Sequence, residues 1–222
     1  MERSQAKEGK IELTAACDGL LKVDNRGLKA VNGFGQMMIA TRHGNFAVKK
    51  GDKLAGTRII PLVIEEEKME AAKKAAAEAT GGCPILELKP FLHKKVGIVT
   101  TGNEVFYGRI KDTFTPVIRG KLSEFDTEVI DHVTWNDDDT KVTASILDMI
   151  QKGADVVVCT GGMSVDPDDK TPLAIRNTGA DIVSYGAPVL PGAMFLLAYY
   201  QVKDGENPRT VAIMGLPGCV MY

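Results

Sequence analysis

Two stretches of the sequence combine glycine, hydroxyl and carboxylate residues in a pattern that could bind an anion. Residues 100–104 read Thr-Thr-Gly-Asn-Glu, and residues 160–172 read Thr-Gly-Gly-Met-Ser-Val-Asp-Pro-Asp-Asp-Lys-Thr-Pro. A glycine pair such as Gly161 and Gly162 lets the backbone approach a ligand closely and present its N–H groups to negative charge. That chemistry suits a phosphate group.

Hydroxyls and acids in the second stretch add to this prediction. Thr160, Ser164 and Thr171 could donate further hydrogen bonds, and a helix beginning near Thr171 would direct the positive end of its dipole to the same place. Acids would repel a bare phosphate, so their presence indicates a divalent cation in the same site. The acids are Asp166, Asp168 and Asp169. The same residue types also build ordinary turns and helix caps, and the pattern alone leaves that alternative open.

A second acidic run covers residues 136–139 and reads Asn-Asp-Asp-Asp. One asparagine or aspartate suffices to cap the helix predicted after it, and acids near a helix N-terminus suit its dipole. Three adjacent acids exceed that need. Asp137 is therefore a candidate functional residue, with a solvated run of charge as the alternative.

Other patterns in the chain do not match a known type of site. Residues 33–35, Gly-Phe-Gly, lack the third glycine of a dinucleotide-binding loop, and residues 162–164, Gly-Met-Ser, lack the flanking glycines of a nucleophile elbow. The three histidines are not spaced like metal ligands. Cys159 is expected in a buried strand rather than as a nucleophile.

The candidate residues follow strands in the predicted structure of the second half. From residue 93 onward, short apolar runs typical of buried strands alternate with helical patterns. The predicted strands cover residues 96–99, 128–135, 154–159, 181–185 and 210–214, and the predicted helices cover residues 115–124, 138–151 and 171–177. This alternation predicts a three-layer α/β domain with a mostly parallel sheet. Such sheets bind ligands outside the carboxyl ends of their strands.

The first 92 residues follow another pattern. Residues 9–64 contain short apolar pieces separated by turn signals, which predict a small β-rich domain with one helix near residues 26–32. Residues 65–80 are rich in Ala, Glu and Lys and predict a helix that ends at a glycine pair. Together with an extended segment to residue 92, this helix is expected to be a linker before the α/β domain of residues 93–222.

Composition excludes several classes of function. Among 222 residues, 27 basic and 29 acidic side chains give a net charge of −2 without a basic block, which argues against nucleic-acid binding. The sequence has no apolar run long enough for a membrane helix and no apolar signal segment near its start. Four scattered cysteines without a CxxC pair are typical of a reducing compartment. We therefore expect a cytoplasmic protein.

Three segments at predicted strand ends together resemble the molybdopterin-binding domain family. They are residues 99–104, 160–169 and 216–218, in the family's order. The family includes molybdopterin molybdotransferases, molybdopterin adenylyltransferases, gephyrin and, more distantly, the competence-damage-inducible protein A group. The chain is most similar to stand-alone molybdopterin-binding proteins with a short non-standard front domain, which are associated with maturing molybdenum hydroxylases. Their Gly-Arg-Ile-Lys-Asp segment occurs here at residues 108–112.

The resemblance implies a cofactor-binding site for molybdopterin. The residues expected along the pterin pocket are Thr101, Gly102 and Glu104, and those expected around the terminal phosphate are Gly161, Gly162 and Ser164. Three more residues are expected to bind the cofactor, namely Thr160, Pro217 and Gly218. Asp169 stands in the place of the family's essential aspartate. Asp137 stands where the adenylyltransferases have a second one. The resemblance thus implies catalytic and Mg²⁺-binding roles for both aspartates.

Several positions depart from the family's pattern. Asn103 replaces a usual aspartate, and Cys219 replaces the usual asparagine after Leu-Pro-Gly. Residues 1–92 lack the front-half motifs of molybdotransferases, which weakens the case for molybdate insertion. The family's domain continues with a helix after the third segment, so a chain that ends at Tyr222 is expected to be shortened.

The resemblance leaves three functions open. The first is an enzyme of molybdenum cofactor biosynthesis, a transferase that acts where molybdate meets bound or adenylated molybdopterin with Mg²⁺. The second is a non-catalytic carrier that delivers the cofactor to a molybdenum hydroxylase. The third is a nucleotide pyrophosphatase of the competence-damage-inducible type, whose loop the pair Asp168 and Asp169 resembles. The family also implies a homo-oligomer, either a dimer or a trimer.

Overall fold

A computed structural model describes residues 1–7, 9–164, 169–203 and 208–221. The chain divides into two compact units, Met1–Phe91 and Leu92–Tyr222. Two candidate residues, Asp166 and Asp168, lie outside the described residues. Within the described ranges, no helix is long and apolar enough to cross a membrane.

The first unit is built from antiparallel strands and two helices. Its strands are β1 Glu2–Arg3, β2 Lys10–Thr14, β3 Gly19–Val23, β4 Met37–Thr41, β5 Phe46–Val48, β6 Lys53–Ile59 and β7 Leu86–Pro90, and its helices are α1 Asn25–Asn32 and α2 Glu66–Thr80. One sheet has the strand order β1-β2-β6-β4 and the other β5-β3-β7. All of their pairings are antiparallel. The predicted β-rich character and the helix expected near residues 26–32 are confirmed.

Residues 65–92 have a different role from the predicted linker. The helix α2 ends as expected at Gly81, whose φ of 65° is left-handed. Its Ala72 is buried in one apolar cluster with Val31 of α1 and Met37 of β4. The strand β7 pairs with β3 as part of the second sheet. Both elements therefore belong to the first unit, because tertiary packing uses an apolar face of α2 that looks weak in the sequence alone.

The second unit alternates strands and helices. Its strands are β8 Lys94–Thr101, β9 Thr127–Trp135, β10 Val156–Thr160, β11 Asp181–Tyr185, β12 Leu196–Val202 and β13 Arg209–Leu216. Its helices are α3 Asn103–Phe106, α4 Phe114–Leu122, α5 Asp139–Gln151 and α6 Thr171–Asn177, with a 3₁₀ helix at Gly218–Met221. Each predicted helix and strand of this half is present, with bounds shifted by a few residues at most.

Four neighbouring strands of the six-stranded sheet are parallel. The order is β11-β12-β13-β10-β8-β9, and β13, β10, β8 and β9 pair in parallel. The strand β12 pairs antiparallel with both β13 and β11. The predicted α/β fold with a mostly parallel sheet is thereby confirmed. The prediction did not include β12. This strand is antiparallel to both of its neighbours, and no helix separates it from β11 or β13 in the sequence, so it interrupts the alternation of strands and helices.

Helices cover both faces of this sheet, so the unit has three layers. Successive side chains of a strand point to opposite faces. Val157 of β10 is buried in the cluster that contains residues of α5 and α6, whereas Val158 packs with Ile118 of α4. Full burial of one such aliphatic side chain stabilises the fold by about 1.5–3 kcal/mol. Close packing requires Gly97, where a Cβ atom would lie 2.5 Å from Sδ of Met149.

Candidate functional site

The four parallel strands bring the predicted loops to one edge of the sheet. Thr160 at the end of β10 is level with Thr100 of β8 and with Leu216 of β13. Thr101 is level with Trp135 at the end of β9. The segments that follow therefore begin side by side at the carboxyl edge, the place where sheets of this kind bind ligands.

Gly161 and Gly162 form the turn after β10, and both have a left-handed backbone. Their φ angles are 86° and 53°, which L side chains rarely adopt. A Cβ atom on Gly161 would lie 2.0 Å from the carbonyl oxygen of Thr101, and one on Gly162 would lie 2.9 Å from Oγ1 of Thr171. The turn thus packs so closely against the end of β8 that only glycine fits.

Two buried hydroxyl groups hold this turn in place. Oγ1 of Thr171 donates to the carbonyl oxygen of Gly161 at 2.9 Å, and Oγ1 of Thr101 lies 3.0 Å from Oγ1 of Thr171. The sequence suggested that Thr171 donates a hydrogen bond to an anion. Its hydroxyl has a single proton, however, and donates it to the carbonyl oxygen of Gly161. Thr171 therefore positions the loop. The helix that begins there has only 7 residues, so its dipole is a minor contribution.

The backbone N–H groups of Gly161 and Gly162, at the same turn, are candidate hydrogen-bond donors to a ligand. Among the residues that the structure describes, neither group donates a hydrogen bond. Oγ1 of Thr160 is also buried and has no hydrogen-bond partner in the described ranges. It lies on the face of β10 that also carries Val158. Buried polar groups in proteins are nearly always paired with protein, water or ligand. The end of β10 therefore has unused hydrogen-bonding capacity, and two adjacent amide donors suit an anion.

Asp169 lies at the end of the loop that follows this turn. Its Oδ2 accepts a hydrogen bond of 2.6 Å from the backbone N–H of Ser164. Its side chain is half-buried, whereas Ser164 is exposed. This bond joins the two ends of the loop. It therefore brings together two predicted site residues, Ser164 and Asp169.

Asp137 meets Asn103 across the ends of β8 and β9. Nδ2 of Asn103 donates to Oδ2 of Asp137 at 2.6 Å. The neighbouring Asp138 caps α5, since its Oδ1 accepts from the N–H groups of Thr140 and Lys141 at 3.1 and 3.2 Å. The bond from the backbone of Lys141 is the main cause that lowers the pKa of Asp138. Asp137 is thus not needed as the helix cap.

The loop after β8 turns through Gly102 and forms the short helix α3. Gly102 has a φ of 137°, and its N–H donates to the carbonyl oxygen of Trp135 at 3.1 Å. Glu104 is exposed in this helix. At its end, Phe106 stacks on Trp135 with ring centroids 6.1 Å apart. Gly102 and Glu104 therefore lie on the β9 side of the edge, next to the pair of Asn103 and Asp137.

The two candidate aspartates do not make a metal site with other described residues. Asp137 follows β9 and Asp169 lies beyond β10, with β8 between the two strands. In the described part of the chain, no group of three His, Cys, Asp or Glu side chains could hold a metal ion. Protein sites for Mg²⁺ often use one or two carboxylates together with substrate phosphates. The described side chains alone therefore do not fit a resident Mg²⁺ ion.

The third segment, after β13, contributes a buried proline and a cysteine. Pro217 is buried and Gly218 is exposed. Sγ of Cys219 accepts a hydrogen bond from the N–H of Gly192 at 3.0 Å. The other cysteine of this edge, Cys159, is fully buried, and burial raises its pKa to about 12. The prediction that Cys159 is a core residue is confirmed.

Sequence reasoning missed a partly buried polar triangle beneath this edge. The hydroxyl oxygens of Thr100 and Thr115 are 3.0 Å apart, and each lies 3.1 Å from Nε2 of His132. Burial lowers the pKa of His132. No local signal could have found this group, because its members come from β8, α4 and β9.

Sequence reasoning also missed the residues of a pocket beside Asp169. The pocket has a volume of about 400 Å³, and its lining includes Ser164, Asp169, Arg176 and Tyr185. Arg176 and Tyr185 belong to no recognisable motif. Only the packing of α6 beside the end of β11 brings them to the loop.

Comparison with known proteins places the second unit in one family. Residues 97–222 match the family described as "Probable molybdopterin binding domain". A CinA-like protein of Mycobacterium tuberculosis (strain ATCC 25177 / H37Ra) is 32% identical over 90 residues, which are 40% of this chain and 21% of that protein. A CinA-like protein of Syntrophus aciditrophicus (strain SB) is 36% identical over 81 residues, 36% of this chain and 19% of that protein. The chain thus spans about a fifth of the length of these curated relatives.

Solved structures aligned with this chain include the tungsten cofactor synthesizing protein MoaB from Pyrococcus furiosus. It has 26% identity and a TM-score of 0.48, with 58% of this chain and 84% of that chain covered. The protein CinA from Thermoplasma acidophilum has 20% identity and a TM-score of 0.43, with 57% and 89% covered. The family match covers more than half of the chain, and the chain therefore belongs to the molybdopterin-binding domain family.

Proposed function

We propose that the second unit binds molybdopterin, or its adenylated form, in the biosynthesis or delivery of the molybdenum cofactor. The observation that supports this most is the turn at Gly161 and Gly162, which has a left-handed backbone and two amide groups that donate to none of the described residues. Successive N–H groups in such a turn form a concave site for an anion. The terminal phosphate of molybdopterin is the matching group.

The other predicted residues divide between binding and positioning. Ser164 and Thr160 would add hydroxyl contacts near the phosphate. Thr101 would act through Thr171, because the contact of their hydroxyls supports the turn. The residues that would line the pterin side are Gly102, Glu104, Pro217 and Gly218.

Asp169 and Asp137 are proposed as catalytic residues that act once the ligand is bound. Asp169 lies beside the proposed phosphate site, and a carboxylate repels a phosphate unless a cation lies between them. The described side chains do not make a cation site by themselves. We therefore expect binding of Mg²⁺, and of molybdate in an insertion reaction, only in the presence of the pterin phosphate.

Catalysis and delivery make different predictions for Asp169. In a molybdotransferase-like enzyme, Asp169→Asn should abolish turnover and retain binding. In a carrier for a molybdenum hydroxylase, the same variant should deliver the cofactor almost as well as the wild type. Reconstitution of an apo molybdenum hydroxylase, measured with each form of the protein, separates the two. Asp148→Asn, at an exposed position of α5, is the matched control.

A nucleotide pyrophosphatase is the second candidate. It is favoured by the curated relatives, which are named CinA-like proteins. Release of a mononucleotide from an ADP-ribose-like substrate, lost in Asp169→Asn, would support this function. If the wild type leaves that substrate intact, the candidate is excluded.

Three further expectations stay predictions. A cytoplasmic location is expected, because the four cysteines are all free thiols and free thiols are typical of a reducing compartment. A homo-oligomer of two or three copies, formed through the second unit, is expected from the family resemblance. A molybdenum hydroxylase is the proposed client.

Calorimetric titration with molybdopterin and with its dephosphorylated form tests the proposed function. We expect the phosphorylated ligand to bind with a micromolar dissociation constant, about −8 kcal/mol. The dephosphorylated form should bind at least about tenfold more weakly, because it lacks the group that the amide donors recognise. Equal affinities would contradict the proposed phosphate site, and failure of both ligands to bind would leave the pyrophosphatase as the function to test.

A further inference from the structure

The pocket lined by Ser164 and Asp169 contains a positive charge that no described residue neutralises. Arg176 lies on the last turn of α6 and lines the pocket with Ser164 and Asp169. Its guanidinium forms no ion pair or hydrogen bond with the described residues. Asp169, the acid in the same lining, instead accepts the bond from the N–H of Ser164.

A phosphate at the proposed site needs such a charge. The amide donors of Gly161 and Gly162 are neutral, and Asp169 places a carboxylate nearby. A phosphomonoester carries between one and two negative charges near neutral pH, with a second pKa of about 6. Guanidinium groups bind phosphate oxygens through two parallel N–H donors and remain charged at all relevant pH values.

The rest of the pocket suits the less polar part of a ligand. Leu173 and Tyr185 line it and are 45% and 43% exposed. An aromatic ring and an aliphatic side chain, beside a cation that has no partner among the described residues, form a surface for an organic phosphate rather than for an inorganic ion.

We propose that Arg176 is a specificity-determining residue, whose guanidinium contacts the phosphate of the pterin ligand and selects the phosphorylated over the dephosphorylated form. This inference rests on the proposed function of the second unit. It adds a binding residue that the family's motif segments do not contain.

The test compares two stable probes, the fluorescent oxidised pterin phosphate obtained from molybdopterin and its dephosphorylated form. Arg176→Gln should weaken binding of the phosphorylated probe by about tenfold or more, because a charge-assisted hydrogen bond is lost. It should leave binding of the dephosphorylated probe unchanged. Arg176→Lys, which keeps the charge but not the two-donor geometry, should give an intermediate affinity.

Arg119→Gln is the matched control, since it removes the same charge from an exposed position of α4. It should bind both probes like the wild type. If Arg176→Gln and Arg119→Gln bind the phosphorylated probe equally well, the role of Arg176 is overturned while the proposed function stands. If the wild type binds neither probe, the proposed function fails and the inference fails with it.

Discussion

Replacing Gly161 with alanine should disrupt the turn at Gly161 and Gly162, the proposed phosphate site, through two separate effects. The φ of 86° is left-handed, and an alanine in that conformation costs about 1–2 kcal/mol. The new Cβ atom would also lie 2.0 Å from the carbonyl oxygen of Thr101, and relief of such overpacking costs about 1–3 kcal/mol. We expect the free energy of unfolding of the second unit to fall by about 2–5 kcal/mol in total.

Gly179→Ala is the matched control for the conformational effect. Gly179 has a φ of 81°, and a Cβ atom there would meet nothing within 4 Å. In this variant the free energy of unfolding should therefore fall only by the cost of the left-handed conformation, about 1–2 kcal/mol. The difference between the two variants, about 1–3 kcal/mol, measures how closely the turn approaches the end of β8.

Urea denaturation followed by tryptophan fluorescence measures both variants. Trp135 is the single tryptophan of the sequence and packs against the core of the second unit, so its signal reports that unit. Calorimetry with the pterin phosphate should show that folded Gly161→Ala has lost binding and that Gly179→Ala has kept it. Equal losses of unfolding free energy in the two variants, with normal binding by both, would contradict the close contact between Gly161 and the carbonyl oxygen of Thr101.

Two further predictions concern the polar groups at and beneath the site. Burial lowers the pKa of His132 from 6.5, so the folded unit favours the neutral imidazole. The neutral imidazole of His132 therefore contributes its full stability above pH 6.5. This contribution is lost as the pH falls from about 6.5 toward the lower pKa of the folded state, because the unfolded chain takes up the proton first. The urea midpoint should therefore drop less between pH 7.5 and pH 5.5 in His132→Gln than in the wild type, and equal drops would contradict this reasoning. Asn103→Asp would place a second carboxylate beside Asp137, where the amide now donates at 2.6 Å. The variant's thermal midpoint should rise on addition of Mg²⁺ more than that of the wild type, whereas identical responses would show that the two side chains do not face each other.

The position of the candidate residues at the strand ends was predictable, because local sequence patterns determine most of it. The buried strands β8 and β10 read as continuous apolar runs. Gly161 and Gly162 directly follow β10, and Asp169 lies farther along the same loop. A parallel sheet then brings the strand ends together whatever the details of the helices. The family resemblance added the third segment, at Pro217, to the same edge.

The features that the sequence did not predict depend on distant contacts. The hydroxyl of Thr171 reads as an anion donor until its bond to the carbonyl of Gly161 is known. The triangle around His132 joins three elements, and the position of Arg176 depends on how α6 packs beside β11. The segment 65–92 resembled a linker because the apolar face of α2 is weak, although Ala72 is 2% exposed.

The most direct test of the account is to follow the backbone amide resonances of the protein during titration with the pterin phosphate. We predict that the largest shifts occur at Gly161 and Gly162, and that the dephosphorylated ligand produces much smaller shifts at both positions. Shifts confined to the end of β9 around Asp137, or to the first unit, would contradict the proposed phosphate site.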